Sequence, residues 1–292
     1  MTSPDHARFD VSLIVATLGR TIPNRRLLTS LAKQRAVSFE VIVVDQNDED
    51  ILAPYLHGDW PFPVTHMRRP GERGASRARN CGWPVARAPV LLFPDDDSWY
   101  PTDFLARGLT QMADRRVDIL TGRSTDETGL TINDRYARRP GRIGRHGVWT
   151  RQIEWITFFR RDVVQRAGGF DETIGLGAPT PWQAGEGPDL ILRAIANGAT
   201  AWYDPGLTAF HDELPTRNPD AAMMRKGRAY ARGMGRVLRR RRFPVGTLLY
   251  WCGRALLAML RSAFALDWRR ARYFFLVFLG RLEGYAGRVW RG

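Results

Sequence analysis

Val90-Leu91-Leu92-Phe93-Pro94-Asp95-Asp96-Asp97-Ser98-Trp99-Tyr100 is the stretch whose reading decides the fold. A short apolar run stops abruptly in three carboxylates. The run is too short for an ordinary helix, and Pro101-Thr102-Asp103 signals a helix start just beyond it, so Val90 to Phe93 reads as a buried strand. Three acids at the end of a buried strand repel one another unless they are solvated, hydrogen-bonded or neutralised by a cation. One reading is a metal–diphosphate site, in which Asp95 and Asp97 reach a hard divalent ion whose other ligands are phosphate oxygens and water. The other is an acidic turn that caps the next helix.

Working outward, Val11 to Thr17 is apolar and β-branched, as a strand covered on both faces would be. Leu18-Gly19-Arg20 turns the chain, and Leu27, Leu28 and Leu31 give Asn24 to Gln34 a helical spacing. Phe39 to Val44 is a second buried strand, ending in the polar turn Asp45-Gln46-Asn47-Asp48. Val64 to Met67 is a weaker strand, and Ala75 to Val85 a short helix. After the acidic stretch the pattern predicts a helix from Pro101 to Met112 and a strand from Val117 to Gly122. Ser124 to His146 reads as an irregular loop, and Val148 to Phe159 as extended and aromatic. Helices are expected over Arg161 to Arg166 and Asp189 to Ala196, and a last strand over Ala199 to Tyr203. Strand and helix alternating through short turns give a parallel sheet covered by helices, whose ligands bind beyond the carboxyl ends of the strands. Thr17, Asp45 and Asp95 to Asp97 all fall at such ends. No Gly-x-Gly-x-x-Gly follows the first strand and no Walker lysine loop occurs, which argues against dinucleotide oxidoreductases and P-loop hydrolases.

The chain of 292 residues has room for one large α/β domain with a helical appendage. Its net charge of +14 points to an anionic partner: nucleic acid, an acidic membrane surface or a phosphorylated ligand. Two cysteines, Cys81 and Cys252, make neither a disulfide framework nor a four-thiolate zinc site, so a reducing compartment is expected. Met1 to Asp10 is polar and lacks the apolar core of a signal peptide.

The ordered set Val11 to Arg20, Val41 to Asp48, Gly74 to Gly82, Leu91 to Asp97, Gly168 to Glu172, Gly185 to Arg193 and His211 resembles the family 2 glycosyltransferases. Each motif is weak by itself; their order over the first three-quarters of the chain is specific. The resemblance implies the GT-A fold, a Rossmann-like, mostly parallel sheet flanked by helices. It implies a nucleotide-sugar-binding domain over residues 1–214; the basic helical tail over 215–292 is read from its composition. The resemblance also implies inverting transfer of a sugar from a nucleoside-diphosphate donor, with UDP first in expectation, to a saccharide or lipid-linked acceptor. The cofactor would be a divalent cation, Mg2+ or Mn2+.

By the same resemblance Asp45 hydrogen-bonds the nucleobase, or else forms an ordinary turn. Thr17 lines that pocket. Arg79 faces the diphosphate beside the amides that start the Gly74–Asn80 helix, unless it is a solvated surface arginine. Asp97 is the first choice of metal ligand. Asp95 shares the metal or the ribose, Asp96 lines the nucleotide pocket or supports the turn, and His211 closes the metal site or is structural. Relatives carry Gly-Glu-Asp-x-Asp-Leu, with the base often at its third position. Here Gly185-Glu186-Gly187-Pro188-Asp189-Leu190 has glycine at that point, so the base falls to Glu186 or Asp189. Trp182 either stacks on an acceptor sugar or anchors its loop.

Beyond Asp220 acids nearly vanish, and Arg239 to Arg242 forms a dense block. Arg254 and Arg261 interrupt the longest apolar segment, which leaves a marginal spanning helix from Val245 to Leu266 as the lesser reading. The tail reads as an element lying on an anionic membrane surface, the alternative being a helical subdomain or partner interface. Together these features give a cytoplasmic enzyme peripheral to the inner face of the cell membrane, with a place in cell-surface polysaccharide or glycolipid synthesis. A sugar-nucleotide nucleotidyltransferase would need a basic phosphate loop after the first strand, and Gly19-Arg20-Thr21 is too short for one. A polyanion-binding protein would leave Asp45, Asp95 to Asp97 and Glu186 without a role, so nucleic acid is not an expected partner.

Overall fold

The computed structural model describes residues 9–19, 22–132 and 136–290. Residues 1–8 of the polar N-terminal stretch, the Arg20-Thr21 end of the first loop and residues 133–135 of the expected irregular loop lie outside the described residues. The chain forms two compact units. The first takes in residues up to 73, 77–170 and 190–213. The second takes in 74–76, 171–189 and 214 onward.

In chain order the elements are β1 (Val11–Thr17), α1 (Ile22–Leu31), β2 (Phe39–Asp45), α2 (Ala53–Leu56), β3 (Val64–Arg68), α3 (Ala75–Gly82), β4 (Val90–Leu92), α4 (Phe104–Arg115), β5 (Ile119–Thr125), β6 (Gly141–Arg142), β7 (Phe158–Arg160), α5 (Arg161–Arg166), α6 (Glu186–Ala196), β8 (Ala201–Phe210), α7 (Ala221–Arg240), α8 (Val245–Phe264) and α9 (Trp268–Ala286). Among the described residues the strands form one sheet in the order β3-β2-β1-β4-β7-β5-β8-β6. β1 pairs in parallel with β2 and β4, β2 with β3, and β5 with β8; β7 is inserted antiparallel between β4 and β5, and β6 pairs antiparallel to β8. The apolar runs explain the centre of the sheet: Val11, Leu13, Val41 and Leu92 are wholly buried, as a sheet covered on both faces requires. α1 and α4 lay Leu27, Leu28, Leu31, Phe104 and Leu105 on it. Tyr100 stacks on Phe104 at 4.6 Å, and Phe104 meets Phe158 at 5.3 Å.

α6 begins at Glu186, three residues before the expected Asp189, and β6 falls within the expected loop; two further stretches differ more. Only Phe158–Arg160 of the aromatic 148–159 segment is a strand. Before it the chain turns twice in short 3-10 steps, Gly147–Trp149 and Glu154–Ile156. The reason lies in its buried contacts, since Trp155 and Ile156 go to the core while the Trp155 carbonyl accepts the Tyr100 hydroxyl at 2.7 Å. The last strand does not stop at Tyr203, but runs to Phe210 through Asp204-Pro205-Gly206. Pro205 and Gly206 look like a strand end, yet the ladder absorbs them as a bulge, with the register shifting between Thr121 and Arg123 of β5. Gly122 makes that possible: a Cβ there would lie 1.7 Å from the Leu207 carbonyl oxygen.

In the second unit α7, α8 and α9 pack together, and loop 171–189 belongs with them. α7 is capped by Asp220, whose carboxylate accepts the Met223 amide at 2.7 Å. The buried Glu283 carboxylate of α9 takes Arg232 Nε at 2.7 Å and both Arg228 and the Trp290 amide. Among the described residues no helix is long and apolar enough to cross a membrane.

Candidate active site

The sheet register assembles the first unit's site. Thr17 at the end of β1 stands opposite Asp45 at the end of β2, and beyond β4 the ladder resumes as a bridge from Ala16 to Asp95. Three strand ends therefore deliver polar side chains to one edge, where parallel sheets bind ligands. Asp95 opens a tight turn in which its carbonyl accepts the Ser98 amide at 3.1 Å and the Ser98 hydroxyl at 2.8 Å.

The three acids point to three different partners, which is how the sheet tolerates them side by side. Asp96 is buried and accepts the Thr17 hydroxyl at 2.7 Å, so this pair supports the turn. Asp95 accepts Arg79 Nη2 at 3.2 Å. Asp97 Oδ1 lies 3.1 Å from His211 Nε2, across 114 positions of sequence. β8 brings that histidine in: Trp99 and Phe210 exchange backbone hydrogen bonds of 3.0 and 2.9 Å, which sets the next residue, His211, beside Asp97.

His211 Nδ1 lies 2.7 Å from the Asp212 carbonyl, which can only accept, and Nε2 faces a carboxylate. Nδ1 is therefore placed to donate to that carbonyl, and a proton on Nε2 would be held by Asp97. Burial pulls the His211 pKa down, but the hydrogen bond and charge of Asp97, the Asp212 carbonyl and the charge of Asp95 outweigh it, and the pKa is raised. One ligand atom each from Asp95, Asp97 and His211 lies within 4.8 Å of the others. Two carboxylate oxygens and an imidazole nitrogen suit Mg2+ or Mn2+. The Nδ1–H···O=C bond fixes the tautomer that offers Nε2 once its proton leaves. Asp45, Asp50 and His66 form a second such cluster. There the Arg68 guanidinium already stands 3.7 Å from Asp45 and 3.0 Å from Asp50, where a cation would sit.

Asp45 has no solvent-accessible surface. Its Oδ1 accepts the Asn47 amide at 2.9 Å and Asn47 Nδ2 at 2.7 Å, and its Oδ2 faces His66 Nε2 at 2.9 Å. Asn47 in turn accepts the Gly19 amide at 2.5 Å. These contacts tie the loops after β1 and β2 together through Asp45 and Asn47. Arg79 is not a solvated arginine: it is buried, pairs with Asp95 and Glu154, and lies 5.5 Å from the Phe170 ring. Glu154 is missing from the sequence-based set. Its signal was its isolation as the single acid in the aromatic stretch 148–160, which demands a basic partner.

The second unit holds the two candidate bases. Asp189 is fully buried, and Arg241 Nε donates to it at 2.6 Å. Glu186 opens α6 and is half-buried. Its carboxyl lies against the loop at Gly175, where a Cβ would come within 3.0 Å of Glu186 Cδ and 2.8 Å of the Ser76 hydroxyl. Trp182 is buried with Arg236 5.5 Å from its ring, and its carbonyl accepts the Gly175 amide at 2.9 Å. Little of the ring is exposed. At the start of α3 the Ala75 amide donates to the Leu176 carbonyl at 2.8 Å, so this donor of the expected phosphate cradle is taken.

The family model for glycosyl transferase family 2 matches residues 12–173. The chain belongs to this family. Among curated relatives, an uncharacterized glycosyltransferase of Haemophilus influenzae is 34% identical over 90 residues, which is 31% of this chain and 30% of that protein's length. Among solved structures, the mannosyltransferase PcManGT of Pyrobaculum calidifontis, in complex with GDP-Man and Mn2+, aligns over 96% of this chain and 89% of its own with a TM-score of 0.65 at 17% identity. S. aureus TarS 1-349, in complex with UDP-GlcNAc, aligns over 97% and 93% with a TM-score of 0.55 at 16% identity. These likenesses establish the GT-A fold of this family 2 member.

Proposed function

We propose that this family 2 chain is an inverting glycosyltransferase. It moves a sugar from a nucleoside-diphosphate donor, UDP being the first to test, to a hydroxyl of a saccharide or lipid-linked acceptor. The observation that carries the reading is the convergence of Asp95, Asp97 and His211 at the carboxyl edge of the sheet, within 4.8 Å of one another. The aligned structures, one in complex with GDP-Man and Mn2+ and another in complex with UDP-GlcNAc, support a nucleotide-sugar donor and a divalent ion.

Asp95, Asp97 and His211 would hold Mg2+ or Mn2+, which when bound stabilises negative charge on the departing diphosphate. Arg79 can turn from Asp95 toward a phosphate and add its charge there. Thr17 and Asp96 keep the β1 and β4 ends in register. Asp45 supports the nucleobase pocket by fixing Asn47 and the β2 turn. Glu186 is the general base that takes the acceptor proton as its oxygen attacks the anomeric carbon opposite the leaving group. Asp189, buried against Arg241, holds the start of α6. Residues 1–214 carry donor binding and 215–292 the association with an anionic membrane surface, at the cytoplasmic face, in synthesis of a surface polysaccharide or glycolipid.

The test is a thermal-shift panel of UDP, GDP, dTDP and CDP with and without Mn2+, on the wild type and on Asp97→Ala. A rise for one nucleotide that needs the metal and is lost in the variant is expected. A metal-independent rise that survives Asp97→Ala would sink the assignment. Glu186→Gln should keep that rise and lose turnover; full turnover would remove Glu186 from the base role.

A further inference from the structure

α8 has two apolar faces. Leu248, Cys252, Ala255 and Ser262 are buried. Val245, Leu249, Leu257, Leu260 and Phe264 are exposed, and at roughly 100° per residue they fall on one stripe of the same helix. Leu266 and Trp268 extend the stripe around the corner into α9; Phe264, Leu266 and Trp268 are 86%, 75% and 66% exposed. A continuous apolar strip of this length is more than the usual scatter of surface hydrophobics.

Its border is cationic. Arg254 and Arg261, seven positions apart, follow one flank of α8, and Arg269, Arg270 and Arg272 stand exposed at the start of α9. Residues 221–290 hold sixteen lysines and arginines against two acids. Of the two acids, Glu283 is buried between Arg228 and Arg232, which leaves Asp267, the cap of α9 that accepts the Arg270 amide at 3.0 Å, as the single acid beside that border. Arg254 donates to the Tyr250 hydroxyl at 3.0 Å and lies 5.3 Å from the Trp251 ring, the mixed aromatic and cationic chemistry of a headgroup layer.

We propose that this stripe, from Val245 to Trp268 with its arginine border, is the surface by which the chain docks in the headgroup layer of an anionic phospholipid bilayer. The helix lies in the plane of the interface, its leucines and Phe264 at the acyl boundary and its arginines on lipid phosphates. A second copy of the chain fits less well, because it would bring arginine borders together. The inference specifies the membrane association proposed above and does not depend on the sugar-transfer reading.

Co-sedimentation of the full chain with phosphatidylcholine vesicles, with and without phosphatidylglycerol, tests it. The wild type should bind only the anionic vesicles at low salt. Phe264→Ser with Leu266→Ser leaves charge unchanged and alters only exposed side chains, and should weaken binding by about a hundredfold, the loss expected for two apolar side chains leaving the acyl boundary. Arg269→Glu with Arg270→Glu should also release the protein. Circular dichroism melts control for folding. Binding by the serine variant equal to that of the wild type, or no wild-type binding to anionic vesicles, would overturn the proposal. So would a wild-type dimer in vesicle-free solution that the serine variant converts to monomer. Asp97→Ala should bind vesicles like the wild type, so a failed membrane reading and a failed transfer reading remain distinguishable.

Discussion

The pair formed by Asp189 and Arg241 gives a sharp test because its two ends are buried unequally. Asp189 has no exposed side-chain surface, while Arg241 keeps 27% of its own. In Arg241→Met the carboxylate stays inside and loses the guanidinium that donates at 2.6 Å. Breaking a buried ion pair costs roughly 3–5 kcal/mol, and the exposure of the arginine and the remaining helix-start contacts of Asp189 reduce this to about 2–3 kcal/mol. In Asp189→Asn the amide retains an acceptor oxygen and the arginine relaxes toward water, so about 1 kcal/mol is expected. For a chain of this size these losses lower Tm by about 5–8 °C and about 2–3 °C respectively. Thermal melts read both, and Asp189→Asn should keep most of its transfer activity. If Asp189→Asn melted like the wild type yet lost turnover, the base would be Asp189 and its assignment as an anchor would be wrong. Equal destabilisation by the two variants would refute the electrostatic argument.

Gly122→Ala should cost about 3 kcal/mol and weaken Mn2+-dependent nucleotide binding together, because its Cβ would displace the Leu207 carbonyl on the strand that delivers His211; calorimetry and the nucleotide melts check the two losses. In chelator, the contribution of the Asp97–His211 pair should be full below the ordinary histidine pKa of about 6.5 and fade as pH rises through the raised folded value. The stabilisation by Mn2+ should run the other way and grow with pH, since the ion displaces a proton from Nε2. A His211→Gln variant with the same chelator profile would contradict this. Glu283 is opposed by burial but held by Arg228, Arg232 and the Trp290 amide, and its pKa is lowered. The stability it supplies should be present above the ordinary glutamate value near pH 4.3 and fall away below it, and Glu283→Gln should cost about 2 kcal/mol in urea melts at neutral pH.

Much of the site was legible because chemistry and strand ends coincide in the sequence. Val90 to Phe93 followed by three acids, and Phe39 to Val44 followed by Asp45, each place a polar cluster where a buried run must end. The fold does bring Asp95, Asp97 and His211 together, as one of two such clusters among the described residues. What stayed hidden depends on long-range partners. Whether Asp45 is open or enclosed is decided by His66 and Asn47, and the solvation of Arg79 by Glu154, 75 positions away. The length of β8 was masked because Pro205-Gly206 carries the local signature of a strand end, which only the facing Gly122 reverses. The anchoring of Asp189 needed Arg241, one of four consecutive arginines that nothing local tells apart.

The bulge in β8 also fixes when the ion site can come into being. Asp97 and His211 are 114 residues apart, and their meeting depends on the Trp99–Phe210 bridge. A growing chain displays all three acids long before the ribosome has released the histidine that completes them. Until β8 has emerged and paired, the protein has an acidic loop but no cation site. If the proposed ion binds there, its capture would mark the chain's passage from nascent polypeptide to finished sheet.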